Sequence, residues 1–294
     1  MTSVRRRALV WMHRGPSTRG WALLLPGLAW LTVFFVVPMV LMFGYSVMHR
    51  GVYDPVEPGF TLEHYRRFFD PLYLQVLRRT VVWSFACTVL CLLSGYPVAY
   101  VIARSSRWRT VLLFLVVLPF WTSFLVRTFA MIFLLRDSGF INTLLIGLGL
   151  IDQPITLLYT PFAVMLGLVY GFLPLMILPI YASLEKLDVA LLEAAEVLGA
   201  RPAARFFRVI LPLSMPGVVA GSMLTFIPAL GSFLTSDLLG GAKEVMIGNL
   251  IQNQFTVARN WPFGSAASFV VMGLVLLAVL AYLRRRDVTP AGVL

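Results

Sequence analysis

Charged residues are scarce in this chain of 294 residues, and only two of them are lysines. Asp, Glu, Lys and Arg together make up 13% of the sequence, about half of their share in a typical soluble domain. This composition excludes an ordinary globular enzyme. Intrinsic disorder is excluded too, because it requires low hydrophobicity, whereas 59% of these residues are hydrophobic and the mean hydropathy is +0.86. A protein embedded in a membrane is the remaining class.

Recognisable catalytic and metal-binding motifs are also missing from the sequence. There is no HExxH, CxxC or GxSxG pattern. A phosphate-binding P-loop needs a Gly-Lys pair, but Lys186 follows Glu185 and Lys243 follows Ala242. We therefore expect no catalytic residues, no metal site and no cofactor bound by this chain.

Six apolar stretches are long enough to cross a hydrocarbon core of about 30 Å as helices of about 20 residues. They are 20–48, 80–103, 110–135, 153–184, 209–236 and 260–283. Only the third contains a charged residue, Arg127. The uncharged stretch 138–151 is too short to cross and is interpreted as an interfacial or re-entrant segment. Because the runs are continuous rather than alternating, the sequence predicts an all-α polytopic membrane protein with six transmembrane helices.

Basic residues are unevenly distributed between the two sides of these spans. The N-terminal segment, the second and fourth connecting loops and the C-terminal tail carry 15 positive charges, against eight in the other loops. Positive charge is retained on the cytoplasmic side, so both termini are predicted to lie inside. On this topology the net charge of +11 resolves into +10 on the cytoplasmic face, zero outside and the single Arg127. The basicity is therefore an orientation signal, and we expect no nucleic-acid partner.

The predicted organisation is a basic cytoplasmic N-terminus (1–20), a six-span domain (21–283) and a cytoplasmic tail (284–294). The N-terminal arginines resemble those of a signal peptide, but the apolar run after them is longer than a signal-peptide core, so we expect a retained first span. Cys87 and Cys91 lie four apart in the second span. We interpret them as helix-packing residues rather than as a disulfide or half of a metal site.

The cytoplasmic loop 183–217 predicts two short helices joined at Gly199. Asp188 is a suitable N-cap for the first helix, and Gly199 suits the position after its end. Pro202 fits the first turn of the second helix, which Pro212 and Pro216 are expected to close. Periodicity alone leaves open an amphipathic helix that lies passively on lipid.

The same loop resembles the EAA loop of ABC-importer permeases, whose pattern is EAA-x3-G-x9-I-x-LP. The matching residues are Glu193, Ala194, Ala195, Gly199, Leu211 and Pro212. Val209 stands in place of Ile. The resemblance implies a type I importer permease of the MetI-like fold, in which this loop is the coupling helix seated in a groove of a separate ATPase subunit. ATP and Mg would then be bound by that ATPase.

Other segments, between about residue 22 and residue 283, resemble the spermidine/putrescine permeases. They are DPLY (70–73), PFWTSFLVR (119–127), IDQP (151–154), SDLLGGAKEVMIGNLIQNQF (236–255) and NWPFG (260–264). The chain is similar to the first of two paired permease subunits in that family. This resemblance implies a heteromeric complex in the bacterial inner membrane, with a second homologous permease and an extracytoplasmic substrate-binding protein. The outer loops 49–76 and 238–262 would be docking surfaces for the binding protein.

A path for an elongated polycation needs carboxylates for the ammonium groups and aromatic faces for cation–π contacts. Asp237, at the outer end of the fifth span, is the best carboxylate candidate. Phe120, Trp121 and Tyr170 are the best aromatic candidates. The alternatives are a solvated acid or a helix-packing pair for Asp237, and packing or an interfacial belt for the aromatic residues.

Arg127 conflicts with such a path, since an intramembrane arginine is costly and would repel a polyamine if it lined the path unpaired. We therefore predict that a carboxylate neutralises it, with Asp237 and Asp137 as the candidate partners.

Prolines interrupt the predicted third, fourth and fifth spans, at Pro119, Pro174, Pro179 and Pro228. They predict kinks that serve alternating access by rocking halves. The alternative is that proline is commoner in membrane helices in general.

Three other functions compete with polyamine import. An ABC permease for another small solute, such as ferric iron, phosphonate or sulfate, would share the less specific segments. An ion-coupled secondary transporter requires titratable groups near the midplane, where no clearly central acid occurs. A membrane enzyme would need a metal or nucleophile constellation, which the sequence lacks. An importer permease for spermidine and putrescine, with lipid around its spans, is the favoured interpretation.

Overall fold

The computed structural model describes residues 18–51, 54–241 and 244–287, and these are organised as helices joined by short connections. The predicted basic N-terminus and cytoplasmic tail lie outside this part of the chain at residues 1–17 and 288–294. The α-helices are α1 (Thr18–Leu31), α2 (Val37–Ser46), α3 (Glu63–Phe68), α4 (Pro71–Arg104), α5 (Arg109–Val117), α6 (Phe124–Leu135), α7 (Phe140–Gly147), α8 (Pro161–Glu185), α9 (Val189–Val197), α10 (Pro202–Arg205), α11 (Leu211–Gly231), α12 (Leu234–Gly240), α13 (Ile247–Thr256) and α14 (Trp261–Asp287).

Within the described ranges, six helical segments are long and apolar enough to cross a membrane, which confirms the predicted number. They are Leu24–Ser46, Pro71–Arg104, Phe124–Gly147, Pro161–Glu185, Pro202–Gly231 and Trp261–Tyr282. An even number of crossings places the two ends of the described chain on the same side. That this side is the cytoplasm stays a prediction from the charge distribution.

The third crossing is broken near the middle of the predicted stretch 110–135. A 3-10 turn at Leu118–Trp121 follows α5, and Thr122 and Ser123 are extended before α6 begins. The Pro119 carbonyl accepts hydrogen bonds from the backbone N–H of Thr122 at 3.3 Å and from its hydroxyl at 2.8 Å. These bonds close the helix where proline removes a donor. The interruption predicted at Pro119 is confirmed.

Contacts with α8 show that the third crossing begins with α5, upstream of the apolar segment Phe124–Gly147, and continues into α6. At the cytoplasmic end of α8, Glu185 pairs with Arg109 at 2.7 Å. In its middle, Gly171 lies beside the ring of Phe124. The chain from α5 through α6 therefore runs along α8, and the short segment predicted at 138–151 forms α7 beyond it.

The fourth and fifth spans remain helical through their prolines. α8 contains Pro174 and Pro179, and α11 contains Pro216 and Pro228. Pro174, Pro179 and Pro228 therefore do not break their helices, contrary to their predicted interruption of the spans, and the predicted kinks stay a prediction. Membrane helices tolerate proline when neighbouring helices and local 3-10 or π adjustments satisfy the freed carbonyl groups.

The prediction that Pro212 and Pro216 close a short second helix in loop 183–217 is also wrong. The chain is helical without interruption from Pro202 to Gly231. A π turn at Phe206–Ile210 joins α10 to α11 directly before Leu211 and Pro212. The wider i→i+5 spacing accommodates the ring and the missing donor of the proline. In the first span, a π turn likewise directly precedes the segment that contains Pro38.

The centre of the bundle is α8, which packs against α4 and α11. Half of its apolar window is buried, more than in any other candidate span of the described chain. From α4, Cys87 and Cys91 reach this core as buried free thiols with their Sγ atoms 4.0 Å apart. Their interpretation as packing residues is confirmed.

The first span lies outside this core, since none of its apolar window is buried. Its outer end packs against α14, where the rings of Phe43 and Phe269 meet edge to face at 5.4 Å. A second apolar cluster around Phe68, Tyr73 and Phe263 lies beside it and fastens α3 to the start of α14.

Gly217 tests the packing of α11 on α8. A Cβ atom there would overlap the Pro179 carbonyl oxygen and the Ser183 side chain. We expect Gly217→Ala to lower the free energy of unfolding by about 1–3 kcal/mol, since overpacking forces the backbone apart. Thermal unfolding of the purified chain measures the change. Gly273→Ala in α14 is the matched control, because a Cβ atom there meets nothing within 4 Å. Equal stability of the two variants would contradict this packing.

Candidate functional site: coupling loop and membrane path

The first helix of the cytoplasmic loop is capped at both ends as predicted. The Asp188 carboxylate accepts a hydrogen bond from the Ala190 N–H at 2.9 Å. At the other end, the N–H of Gly199 donates to the Glu196 carbonyl at 2.9 Å and that of Ala200 to the Ala195 carbonyl at 2.9 Å. This pair of bonds is the Schellman motif, which satisfies the last carbonyl groups of a helix.

Gly199 makes this helix end possible. Its φ is +77°, in the left-handed region that costs a residue with a Cβ atom about 1–2 kcal/mol. Across the turn, Glu196 and Arg205 form an ion pair at 2.7 Å. The pair is largely exposed and adds little stability.

One side of α9 packs against the rest of the described chain, and the other side is exposed. Leu192 is 4% exposed, whereas Val197 and Leu198 are 88% and 86% exposed. Of the residues that match the EAA pattern, Glu193, Ala194, Gly199 and Pro212 are exposed, and Ala195 and Leu211 are half-buried. The helix thus presents apolar and small side chains away from the transmembrane bundle.

The loop is connected to the core through Tyr96 of α4. Its hydroxyl lies 2.8 Å from the Ser214 hydroxyl at the start of α11, and its ring meets that of Phe206 edge to face at 5.5 Å. A displacement of α10 would therefore move residues of the second and fifth spans directly, through the contacts of Tyr96 with Phe206 and Ser214.

In the membrane path, Arg127 is not paired as predicted. Among the residues that the structure describes, neither Asp237 nor Asp137 forms an ion pair with it. The guanidinium instead lies 5.4 Å from the ring centre of Phe120 and 5.5 Å from that of Phe124. The prediction that Asp237 or Asp137 neutralises Arg127 is wrong within the described chain, where both carboxylates are exposed.

The candidate path residues are brought together only in part. Tyr170 shares a small cavity with Arg127, and Phe120 stacks on the same guanidinium. Trp121 is 74% exposed and meets Phe114 edge to face. Asp237 lies on α12, which packs against both α6 and α8. All four side chains are exposed in the described chain, so they lie on surfaces open to a ligand or another subunit.

A polar fastening at the outer side was not singled out from the sequence. Arg79 of α4 forms an ion pair with Glu244. Nearby, the Thr80 hydroxyl accepts from the Ile247 N–H at 2.8 Å, and the Asn249 side chain donates to the Phe233 carbonyl at 2.9 Å. These residues lie within or against the segment 236–255, whose resemblance to known permeases was the available signal. The fastening holds α12 and α13 against the bundle.

On the same outer side, His64 of α3 is buried. Burial lowers the pKa of its imidazole below the ordinary value, and a contact of Nε2 with the Met48 carbonyl oxygen at 3.1 Å opposes the shift.

Comparison with known proteins identifies the family. Residues 95–286 match the family described as binding-protein-dependent transport system inner membrane component. The chain belongs to this family. It is a multi-pass protein of the bacterial inner membrane and a permease subunit, which works with a substrate-binding protein and an ATPase.

Similar proteins match this permease over nearly its whole length. This permease is 46% identical over 257 residues to the spermidine/putrescine transport system permease protein PotB of Haemophilus influenzae. The alignment covers 87% of this chain and 90% of that protein. The Escherichia coli protein of the same name is 46% identical over 252 residues, 84% of this chain and 92% of that protein. The inner membrane ABC transporter permease protein YdcU of E. coli is 32% identical over 90% of this chain and 88% of that protein.

Solved structures share the fold of the permease. A bacterial ABC transporter that imports the acidic polysaccharide alginate has a chain with a TM-score of 0.72 and 19% identity, over 92% of this chain and 96% of that one. In complex with a pentasaccharide-bound periplasmic protein, the alginate transporter matches with a TM-score of 0.73 and 20% identity, over 93% and 96%. The predicted six-helix importer fold is confirmed.

The helix end at Gly199 is testable by hydrogen exchange. Gly199→Val places a β-branched side chain at a positive φ, so we expect the amides of α9 to exchange about tenfold faster, corresponding to about 1.4 kcal/mol. Gly199→Asn should exchange within about twofold of the wild type, since asparagine tolerates this conformation. Mass spectrometry of peptides from 186–200 gives the rates. Unchanged protection in the valine variant would show that the left-handed turn does not hold the helix end.

Proposed function

We propose that this permease carries polyamines, spermidine and putrescine, inwards across the membrane as part of an ABC importer. The observation that carries the proposal is 46% identity over more than four fifths of the chain to spermidine/putrescine permeases from two bacteria. Transport proceeds by alternating access, driven by ATP hydrolysis in a separate subunit. The permease is not itself an enzyme and binds no cofactor, and ATP and Mg are held by the partner ATPase.

The coupling element is the loop 183–217. Seating in a groove of the ATPase accounts for the nearly complete exposure of Val197 and Leu198, two large apolar side chains that nothing in the described chain covers. Glu193, Ala194, Ala195, Gly199, Leu211 and Pro212 carry the family pattern in this loop. The contacts of Tyr96 with Ser214 and Phe206 support transmission of the movement to the second and fifth spans.

The path for the cation uses Asp237 and the aromatic residues Phe120, Trp121 and Tyr170. Exposure of all four in the single chain is consistent with a pore shared with a second, homologous permease. Carboxylate and aromatic faces are the groups that recognise ammonium ions. The outer loops 49–76 and 238–262 receive the substrate-binding protein, and lipid surrounds the remaining faces.

Docking of the ATPase is tested by charge placed on α9. We expect Leu198→Glu to reduce co-purification of the ATPase about tenfold, since a carboxylate would be buried in the groove, without changing the melting temperature of the isolated chain. The comparison variant is Leu192→Glu, whose side chain points into the protein and which should destabilise the chain itself. Normal recovery of the ATPase with Leu198→Glu would refute seating of this helix.

Uptake by the reconstituted complex tests the substrate. Proteoliposomes with the permeases and the ATPase, supplied with the binding protein, should accumulate labelled spermidine only when ATP is present, and unlabelled putrescine should compete. Competition by ferric iron, sulfate or phosphonate instead would assign another solute, and uptake without the ATPase would indicate an ion-coupled transporter. Asp237→Asn should reduce uptake about tenfold or more through loss of a charge-assisted contact, whereas Asp152→Asn, an exposed acid outside the path, should not.

A further inference from the structure

Arg127 lies in the first turn of α6 with its charge unsatisfied. Its Nε and Nη1 atoms are buried without a hydrogen-bond partner, and no ion pair forms with any acid of the described ranges. The rings of Phe120 and Phe124 lie within 5.5 Å of the guanidinium carbon. Aromatic faces attract a cation. They do not accept hydrogen bonds from the five N–H groups, which point outward in the plane of the guanidinium.

The depth of Arg127 in the bundle makes this arrangement costly. It lines a cavity with Gly167 and Tyr170 of α8, and Gly167 lies six residues, about 9 Å, along α8 from its outer end. The cavity volume is about 10 Å³, which is room for about one water molecule. One water can accept hydrogen bonds but cannot neutralise the charge. Arg127 is half-buried, and a partly desolvated charge at this depth of a membrane is unfavourable without a counter-ion.

The surface beside Arg127 is uncovered in the described chain. Phe120, whose ring lies against the guanidinium, is 40% exposed, and Tyr170, which lines the same cavity, is 41% exposed. Lipid would cover such a face equally well, but lipid tails supply no acceptor for the arginine. A neighbouring protein helix supplies both apolar contact and a carboxylate.

We propose that an acidic side chain of the companion permease subunit pairs with Arg127 across the interface between the two permeases. The inference rests on the proposed assembly of two homologous permeases. It identifies α6 as part of their contact surface and gives its partner a definite chemistry, an Asp or Glu at the depth of Gly167. Pairing also removes the conflict between a positive residue near the path and a cationic substrate.

The proposal predicts that one substitution stabilises the isolated chain but weakens the assembled complex. Arg127→Met keeps an unbranched, flexible side chain and removes the charge. In the full chain expressed alone, it should raise the melting temperature by about 2–4 °C, because an unpaired charge is replaced by an apolar group. In the intact complex the same variant leaves the companion's carboxylate buried without a partner, so recovery of the companion permease should fall about tenfold or more. Arg127→Lys, which keeps the charge, should lose less.

Arg136→Met is the matched control, since Arg136 follows the same helix and is exposed; it should change neither measurement. The proposal is overturned if Arg127→Met leaves recovery of the companion at the wild-type level. It is also overturned if the variant destabilises both preparations, as a water or lipid phosphate bound to the isolated chain would cause.

Charge reversal locates the partner residue. Arg127→Glu should abolish assembly, and changing one carboxylate in the spans of the companion to Arg should restore it. Failure of every such exchange would refute the pairing. These readouts need no substrate, so a complex that assembles as expected but fails to import spermidine would refute only the polyamine proposal. A complex without a second permease would refute the pairing whatever the substrate.

Discussion

Apolar side chains gain nothing by leaving lipid for protein, so helices in a membrane associate through close packing and interhelical hydrogen bonds. In this permease the close packing centres on α8. Gly217 brings α11 against the carbonyl of Pro179, and Gly167 leaves room for Thr235 and Leu239 of α12. Everything described around the path, including the broken third crossing and the segment that carries Asp237, is positioned by contact with this helix.

Satisfaction of backbone groups explains where the helices bend and where they continue. The helix ends in a 3-10 turn around Pro119, and the carbonyl of Pro119 itself accepts from the N–H and the hydroxyl of Thr122. Pro212, by contrast, follows a π turn and the helix runs on. The same residue type thus produces a break in one place and continuity in another. As a result, α10 and the fifth span form one uninterrupted helix from Pro202 to Gly231.

Much of this structure can be predicted from residues that are close together in the sequence. The number of spans, the caps at Asp188 and Gly199 and the packing role of Cys87 and Cys91 each depend on neighbouring residues in the chain or on total apolar length, which a sequence displays. The absence of an acid beside Arg127 and the fastening by Arg79 and Glu244 depend on groups far apart in sequence, for which periodicity carries no signal.

The sequence alone determined that this is a six-span membrane protein whose loop 183–217 contains a helix capped at Asp188 and Gly199, because hydrophobic length and helix caps are local properties. Only the tertiary structure decided that α8 is the central helix and that Val197 and Leu198 remain uncovered. It also decided that Arg127 has aromatic neighbours and no acid in the described chain. These outcomes depend on which helix faces which, and that is set by the packing of the whole bundle rather than by any single segment.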